Sequence, residues 1–148
     1  MATDVILETT VARPRNVVAG YATDWRNDTR WIGAIGEARL VTDGPFGVGS
    51  RVERIAKFLG RKIEYVLEVV EHEPGSRLIM RSVKSPFPMT VTYEFEDAGG
   101  GTRMRIRTQG DAGRYYRFAA PLLDRAVRRN VARDLARLRA LLEADSAG

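Results

Sequence analysis

The chain has 148 residues, of which 44% are apolar and 29% charged, with a net charge of +5 and no cysteine. That length fits one domain over residues 1–148, able to bury a real core, and the composition excludes wholesale disorder. The missing cysteine excludes disulfides and thiolate metal sites, and the single histidine, His72, excludes a multi-histidine metal site.

Val5, Leu7, Thr9 and Val11 alternate with Ile6, Glu8 and Thr10, which predicts a first strand. Arg13-Pro14 breaks it. Pro14 suits the first turn of a helix, where its missing N–H is no loss, and Asn16 to Ala19 predict a short helix ending near Gly20. A second short helical or irregular piece follows over Asp24 to Trp31.

Six further strands are predicted: Ile35 to Thr42, Ser50 to Phe58, Arg61 to Glu71, Arg77 to Val83, Met89 to Glu96 and Arg103 to Thr108. The third of these is the plainest, with Ile63, Tyr65, Leu67 and Val69 on one face and Lys62, Glu64, Glu68 and Val70 on the other. Segments with one apolar and one charged face imply an antiparallel sheet, dry on one side and wet on the other. Turns fall at Asp43 to Gly47, Gly60, Glu73 to Ser76 and Gly99 to Gly101.

From Tyr115 to Leu142 apolar residues recur at helical spacing: Leu123, Val127, Val131, Leu135, Leu138, Leu142. Pro121 should start the straight part of this helix or kink it. At 1.5 Å per residue the helix runs roughly 30–40 Å, long enough to cross a sheet. The segment from Gly113 onward carries eight arginines and four acids, so most of the net charge sits here. A sheet's dry face must be covered, and this helix is the one element large enough. The gap between a twisted sheet and one helix is a natural pocket.

The element order and four local patterns resemble the START-like (SRPBCC) helix-grip superfamily, above all its bacterial polyketide cyclase/dehydrase and lipid-transport group. The first pattern is Arg13-Pro14 with Val17-Val18, then the Asp24 to Trp31 segment. The second is Gly44-Pro45-Phe46-Gly47-Val48-Gly49-Ser50-Arg51, leading into a strand. The third is the turn from Val69 through Glu71, Glu73 and Pro74 to Arg77-Leu78. The fourth is Thr92 to Glu96, the glycine hairpin, and the terminal helix with Ala120-Pro121-Leu122-Leu123. The resemblance spans nearly the whole chain. It implies an α+β helix-grip fold: a seven-stranded antiparallel sheet wrapped around a long C-terminal helix, with two short helices after the first strand. Fold alone does not give function.

Candidate ligand-binding residues are the polar or aromatic exceptions on inward positions. Arg54 alternates with Val52, Ala56 and Phe58, and either faces a ligand's anionic group or pairs with an internal acid such as Asp24 or Asp28. Tyr65 and Tyr93 are interior by parity, and their hydroxyls need partners. Trp25 and Trp31 form a pocket wall or seal the core, and Thr108 offers a small hydroxyl. Ser82 is a weaker candidate of the same kind, because its strand alternates poorly. His72 is expected at the surface with the charged face. The glycine run at 99–101 joins two strands, so it is a hairpin and not a phosphate loop.

The expected function is binding of an apolar or aromatic small molecule, lipid-, polyketide- or isoprenoid-like, in an internal cavity, with Arg54 and Tyr65 at its polar end. Two alternatives stand beside it: a metal-free cyclase or dehydratase, and an interaction module using the basic C-terminal helix. No cofactor and no metal are expected. A cytoplasmic monomer or homodimer is expected, without a membrane span, and nucleic acid is not the expected partner.

Overall fold

The computed structural model describes residues 3–145. The strands are β1 (Thr3–Val11), β2 (Ile35–Leu40), β3 (Arg51–Phe58), β4 (Arg61–Glu73), β5 (Arg77–Lys84), β6 (Met89–Ala98) and β7 (Gly101–Gly110). They form one antiparallel sheet in the order β1-β7-β6-β5-β4-β3-β2. Alternation makes its two surfaces. On β4 the side chains of Ile63, Tyr65, Leu67 and Val69 are buried, while Arg61, Lys62 and Glu64 are exposed. The wet face carries cross-strand ion pairs: Arg107 with Asp4, Arg103 with Glu96, Arg51 with Glu68, and Arg77 with Glu71 and Glu94. Each is solvent-screened, so they specify register more than stability.

β1 and β2 are the two sheet edges, and the chain crosses between them through α1 (Arg15–Ala22), a single 3-10 turn (Trp25–Asn27) and α2 (Asp28–Trp31). Pro14 lies just outside α1 as its N-cap, its carbonyl accepting the Val17 and Val18 N–H groups. The helix runs past Gly20 to Ala22, because Val18, Ala19 and Ala22 share one buried stripe. The expected second piece divides in two because Asp24 caps the 3-10 turn by accepting the Arg26 N–H.

After β7 come α3 (Gly113–Tyr116) and α4 (Ala120–Asp145). The expected continuous helix is interrupted at Arg117, whose φ of 60° turns the chain, and Pro121 then sits in the first turn of α4. α4 lays Leu123, Val131, Leu135, Leu138 and Leu142 against the sheet. Burial of one such leucine contributes roughly 1.5–3 kcal/mol. At the end of α4 the Glu143 carboxylate accepts the Ala12 N–H at 2.8 Å, and Arg13 donates to the Leu142 carbonyl at 2.7 Å. No described helix is long and apolar enough to cross a membrane.

The molecule therefore has two ends. One gathers the β3–β4 turn, the β5–β6 connection, α3 and the start of α4. The other gathers the β4–β5 and β6–β7 turns and the start of α1. The same two-residue turn, with φ positive at both positions, occurs at each end. Gly99-Gly100 makes it at one (φ 54° and 87°), and Leu59-Gly60 at the other (φ 50° and 80°). Such turns favour Asn-Gly or Gly-Gly, so Leu59 is strained. A side chain in this region costs roughly 1–2 kcal/mol, with asparagine tolerated best. Leu59→Asn is expected to raise the unfolding free energy by roughly 1 kcal/mol, read from urea unfolding. An unchanged or lowered value would show that Leu59 is held there by packing.

Candidate functional site

Two compartments lie on the dry face of the sheet, one polar and closed beneath the crossover, the other apolar and bordered by α4. The polar one centres on Arg54, which is 4% exposed. Its Nε and one terminal nitrogen contact the Asp28 Oδ2 oxygen at 3.0 and 2.9 Å. Asp28 is 2% exposed and opens α2. Arg54 lies opposite Tyr65 across the β3–β4 pair, and it donates to the hydroxyls of Tyr65 and Tyr93. Trp31 tilts against Tyr93 with ring centres 5.8 Å apart.

The electrostatics follow from burial. Burial opposes the Arg54 charge, but the Asp28 carboxylate outweighs it, and the guanidinium is held well above its ordinary value. Burial pushes the Asp28 carboxyl up, and Arg54 pulls it back. Each group is the other's counter-charge, and the two titrate as one coupled unit. Burial pushes Tyr65 up and Tyr93 up to about 12, against the pull of Arg54, so both phenols stay neutral donors. A void of only about 10 Å³ adjoins this cluster. Arg54 is thus inward-facing as expected, but the internal pairing with Asp28 is the arrangement found. The guanidinium has no open space in which to meet a ligand. Asp24 instead pairs with Arg26 at the surface.

The apolar compartment is a cavity of about 160 Å³ toward the α3 end. Ala56, Phe58, Ile63, Phe87, Met89, Leu123 and Val127 line it, with Tyr65 and Thr108. Thr3 and Gln109 add polar groups, and the buried Thr3 hydroxyl has no hydrogen-bond partner. An aromatic cluster roofs this end. Tyr116 meets Phe58 and Phe87 with ring centres 5.5 and 6.1 Å apart, and stacks on Phe118 at 6.4 Å. The Arg61 guanidinium sits 4.0 Å from the Tyr115 ring centre.

Of the six candidate residues, Tyr65 and Thr108 line the cavity. Arg54, Tyr93 and Trp31 belong to the closed cluster. Trp25 stands between the small void beside that cluster and an outer cleft with Phe46 and His72. His72 corrects a further expectation. A bulge between Val69 and Glu71 shifts the parity of β4, so His72 pairs with buried Leu78 and turns its ring edge to Phe46 at 5.4 Å. It is half-buried and not on the charged face. The Ser82 hydroxyl is occupied by the Met89 N–H.

Several residues were not anticipated. Phe87 lies within the irregular Ser85–Pro88 stretch, where strand parity gives no guide. Asp134 was readable: it lies on the apolar stripe of α4, three residues after Val131 and four before Leu138. It accepts the Gly33 N–H at 2.9 Å, and burial pushes its carboxyl up against that bond and Arg137. Among the described residues, no group of three or more His, Cys, Asp or Glu is placed to hold a metal.

Residues 2–143 match the family described as "Polyketide cyclase / dehydrase and lipid transport". No curated protein matches the sequence. Among solved structures, the protein TTHA0849 from Thermus thermophilus is similar at 21% identity and TM-score 0.81, covering 97% of this chain and 99% of that one. The Zhui aromatase/cyclase from Streptomyces sp. R1128 is similar at 15% identity and TM-score 0.78, covering 97% and 94%. A START superfamily protein from Mycobacterium smegmatis is similar at 11% identity and TM-score 0.81, covering 95% and 97%. The fold shared with them is the START-like helix-grip.

Arg54→Met leaves Asp28 buried without its counter-charge, and should cost about 3–5 kcal/mol in urea unfolding. Adding Asp28→Leu should restore most of that loss, because a well-packed apolar pair replaces a buried ion pair at little cost. A single variant as stable as the parent would remove the pair from its structural role. The fold favours protonated Tyr93. Its share of stability is therefore intact below pH 10 and lost as pH rises toward about 12. Thermal melts should show that decline, and Tyr93→Phe should flatten it.

Proposed function

The chain belongs to the polyketide cyclase / dehydrase and lipid transport family, and from that premise we propose that it binds a neutral apolar or aromatic small molecule in the cavity between the sheet and α4. The observation that carries this is the contrast between the compartments. Among the described residues the one buried cation, Arg54, is neutralised by Asp28, while the cavity beside it is apolar. An anionic ligand group would enter a space with no free positive charge. A neutral ring gains apolar burial at roughly 25 cal/mol per Å² before association costs. Tyr65 supplies one orienting donor, and Thr3, Thr108 and Gln109 supply further polar contacts.

Size narrows the ligand. Drug-sized sites run from about 300 to 1,000 Å³, whereas a dry cavity of about 150 Å³ accommodates benzene. At about 160 Å³ the cavity suits a single ring. A larger lipid-, polyketide- or isoprenoid-like ligand requires Phe87 and the α3 aromatics to move aside.

A second reading, a metal-free cyclase or dehydratase, is favoured by Tyr65. Tyr65 lines the cavity and its hydroxyl accepts from Arg54, a contact that polarises the phenol as a proton donor to a substrate carbonyl.

Calorimetry and thermal shift with neutral one- and two-ring compounds, phenol, indole and naphthol, test both readings. At a hundredfold excess over Kd a ligand should add about 2.7 kcal/mol of stability. Ala56→Leu fills the cavity and should abolish binding while leaving the fold intact. Tyr65→Phe should weaken binding roughly fivefold, the value of one neutral hydrogen bond, but should abolish turnover if the protein is a cyclase. No shift with any compound, and no effect of Ala56→Leu, would overturn the binding reading.

A further inference from the structure

Charge pairing is uneven over the surface. On the wet face of the sheet, arginines 39, 51, 77, 103, 105 and 107 each contact a carboxylate. Around the roof of the cavity, Arg114, Arg117 and Arg125 are exposed, and among the described residues none has an acidic partner. Two acids share this end, Asp111 and Asp124.

The same end exposes large apolar side chains. Leu59 is 43% exposed, Phe118 44% and Leu122 54%. They come from three different segments: the β3–β4 turn, the α3–α4 link and the first turn of α4. On α4 the buried residues Leu123, Val131, Asp134, Leu135, Leu138 and Leu142 define the inner stripe, so Leu122 and Arg125 point outward together. Both non-glycine residues with positive φ, Leu59 and Arg117, also lie here. A strained leucine at a turn that favours asparagine presents an apolar side chain where stability alone would remove it.

We propose that this end docks on an anionic lipid bilayer, with Leu59, Phe118 and Leu122 entering the interface and Arg114, Arg117 and Arg125 meeting lipid phosphates. Apolar groups ringed by unpaired cations are what an interfacial site needs: burial in the acyl boundary plus attraction to negative headgroups. A polyanion such as RNA would use the arginines but leave the three apolar residues in water. The surface lies over the cavity roof, so docking presents the cavity to the membrane, where a neutral apolar molecule resides.

Co-sedimentation of the unliganded full chain with vesicles tests this apart from ligand binding. One set is phosphatidylcholine alone, the other an equal mixture with phosphatidylglycerol. The expected result is binding to the mixed vesicles, weakened by salt, and little to phosphatidylcholine. Each neutralised arginine should cost about fivefold, so the triple change to glutamine at 114, 117 and 125 should cost about a hundredfold. The control change to glutamine at 128, 129 and 133, farther along α4, should cost less than the mouth triple. Phe118→Ser with Leu122→Ser should lower binding at unchanged charge. Leu59→Asn is expected to stabilise the fold while weakening binding, which excludes unfolding as the cause. Equal loss in the control triple, no effect of the apolar changes, or retention on heparin without vesicle binding would overturn the proposal.

Discussion

Asp28 and Arg54 hold the fold's one long crossover to its sheet. α2 has four residues, too few to be helical without tertiary support. It is clamped from two sides. Arg54 on β3 takes its first residue, while Asp134 and Arg137 on α4 take the Gly33 N–H and the Trp31 carbonyl. Taking two charges out of water costs several kcal/mol per ion, so the pair persists only because its geometry and further hydrogen bonds are good. The Tyr65 and Tyr93 hydroxyls complete the guanidinium's shell. Removing one charge would disturb sheet, crossover and helix together.

That arrangement also divides the interior. Polar groups collect where the crossover meets the sheet and satisfy one another there, as buried networks must. The remaining volume, toward α3, is left to aliphatic and aromatic side chains. Tyr65 stands at the boundary, touching the network with its hydroxyl and lining the cavity. The cavity is therefore apolar by exclusion, since the fold's internal charge is already committed elsewhere.

Much of the fold was legible because strand parity and helical spacing report burial directly. The β4, β6 and β7 faces fall as their alternation demands, and the leucine stripe of α4 faces the sheet. Parity fails where the backbone adds a residue. The bulge between Val69 and Glu71 reverses the facing of His72, and no residue there signals it. Irregular chain is equally opaque, which is why Phe87 has no place in the sequence reading of the site. For the candidate site, parity placed Arg54 and Tyr65 inward, and the pairing with Asp28 was one of two arrangements it allowed. Choosing between them required the position of α2, which no local pattern encodes. Asp134 was overlooked although its place on the apolar stripe was plain.

β1 pairs with β7 along its whole length, from Thr3 opposite Gly110 to Val11 opposite Thr102, and Ala12 is held by Glu143. β1 thus has for its neighbours β7 and α4, the strand and the helix far from it in the sequence. During synthesis, at roughly 5–20 residues per second, β1 waits several seconds for its partner. Until then its unpaired edge is open to other chains. The meander from β2 to β7 has sequential neighbours and can assemble first. Docking of β1 and α4 joins segments far apart in the chain, the class of contact whose loop-closure entropy slows folding. A chain truncated within α4 would lose the seal on β1, and should be cleared by proteases rather than accumulate as a folded fragment.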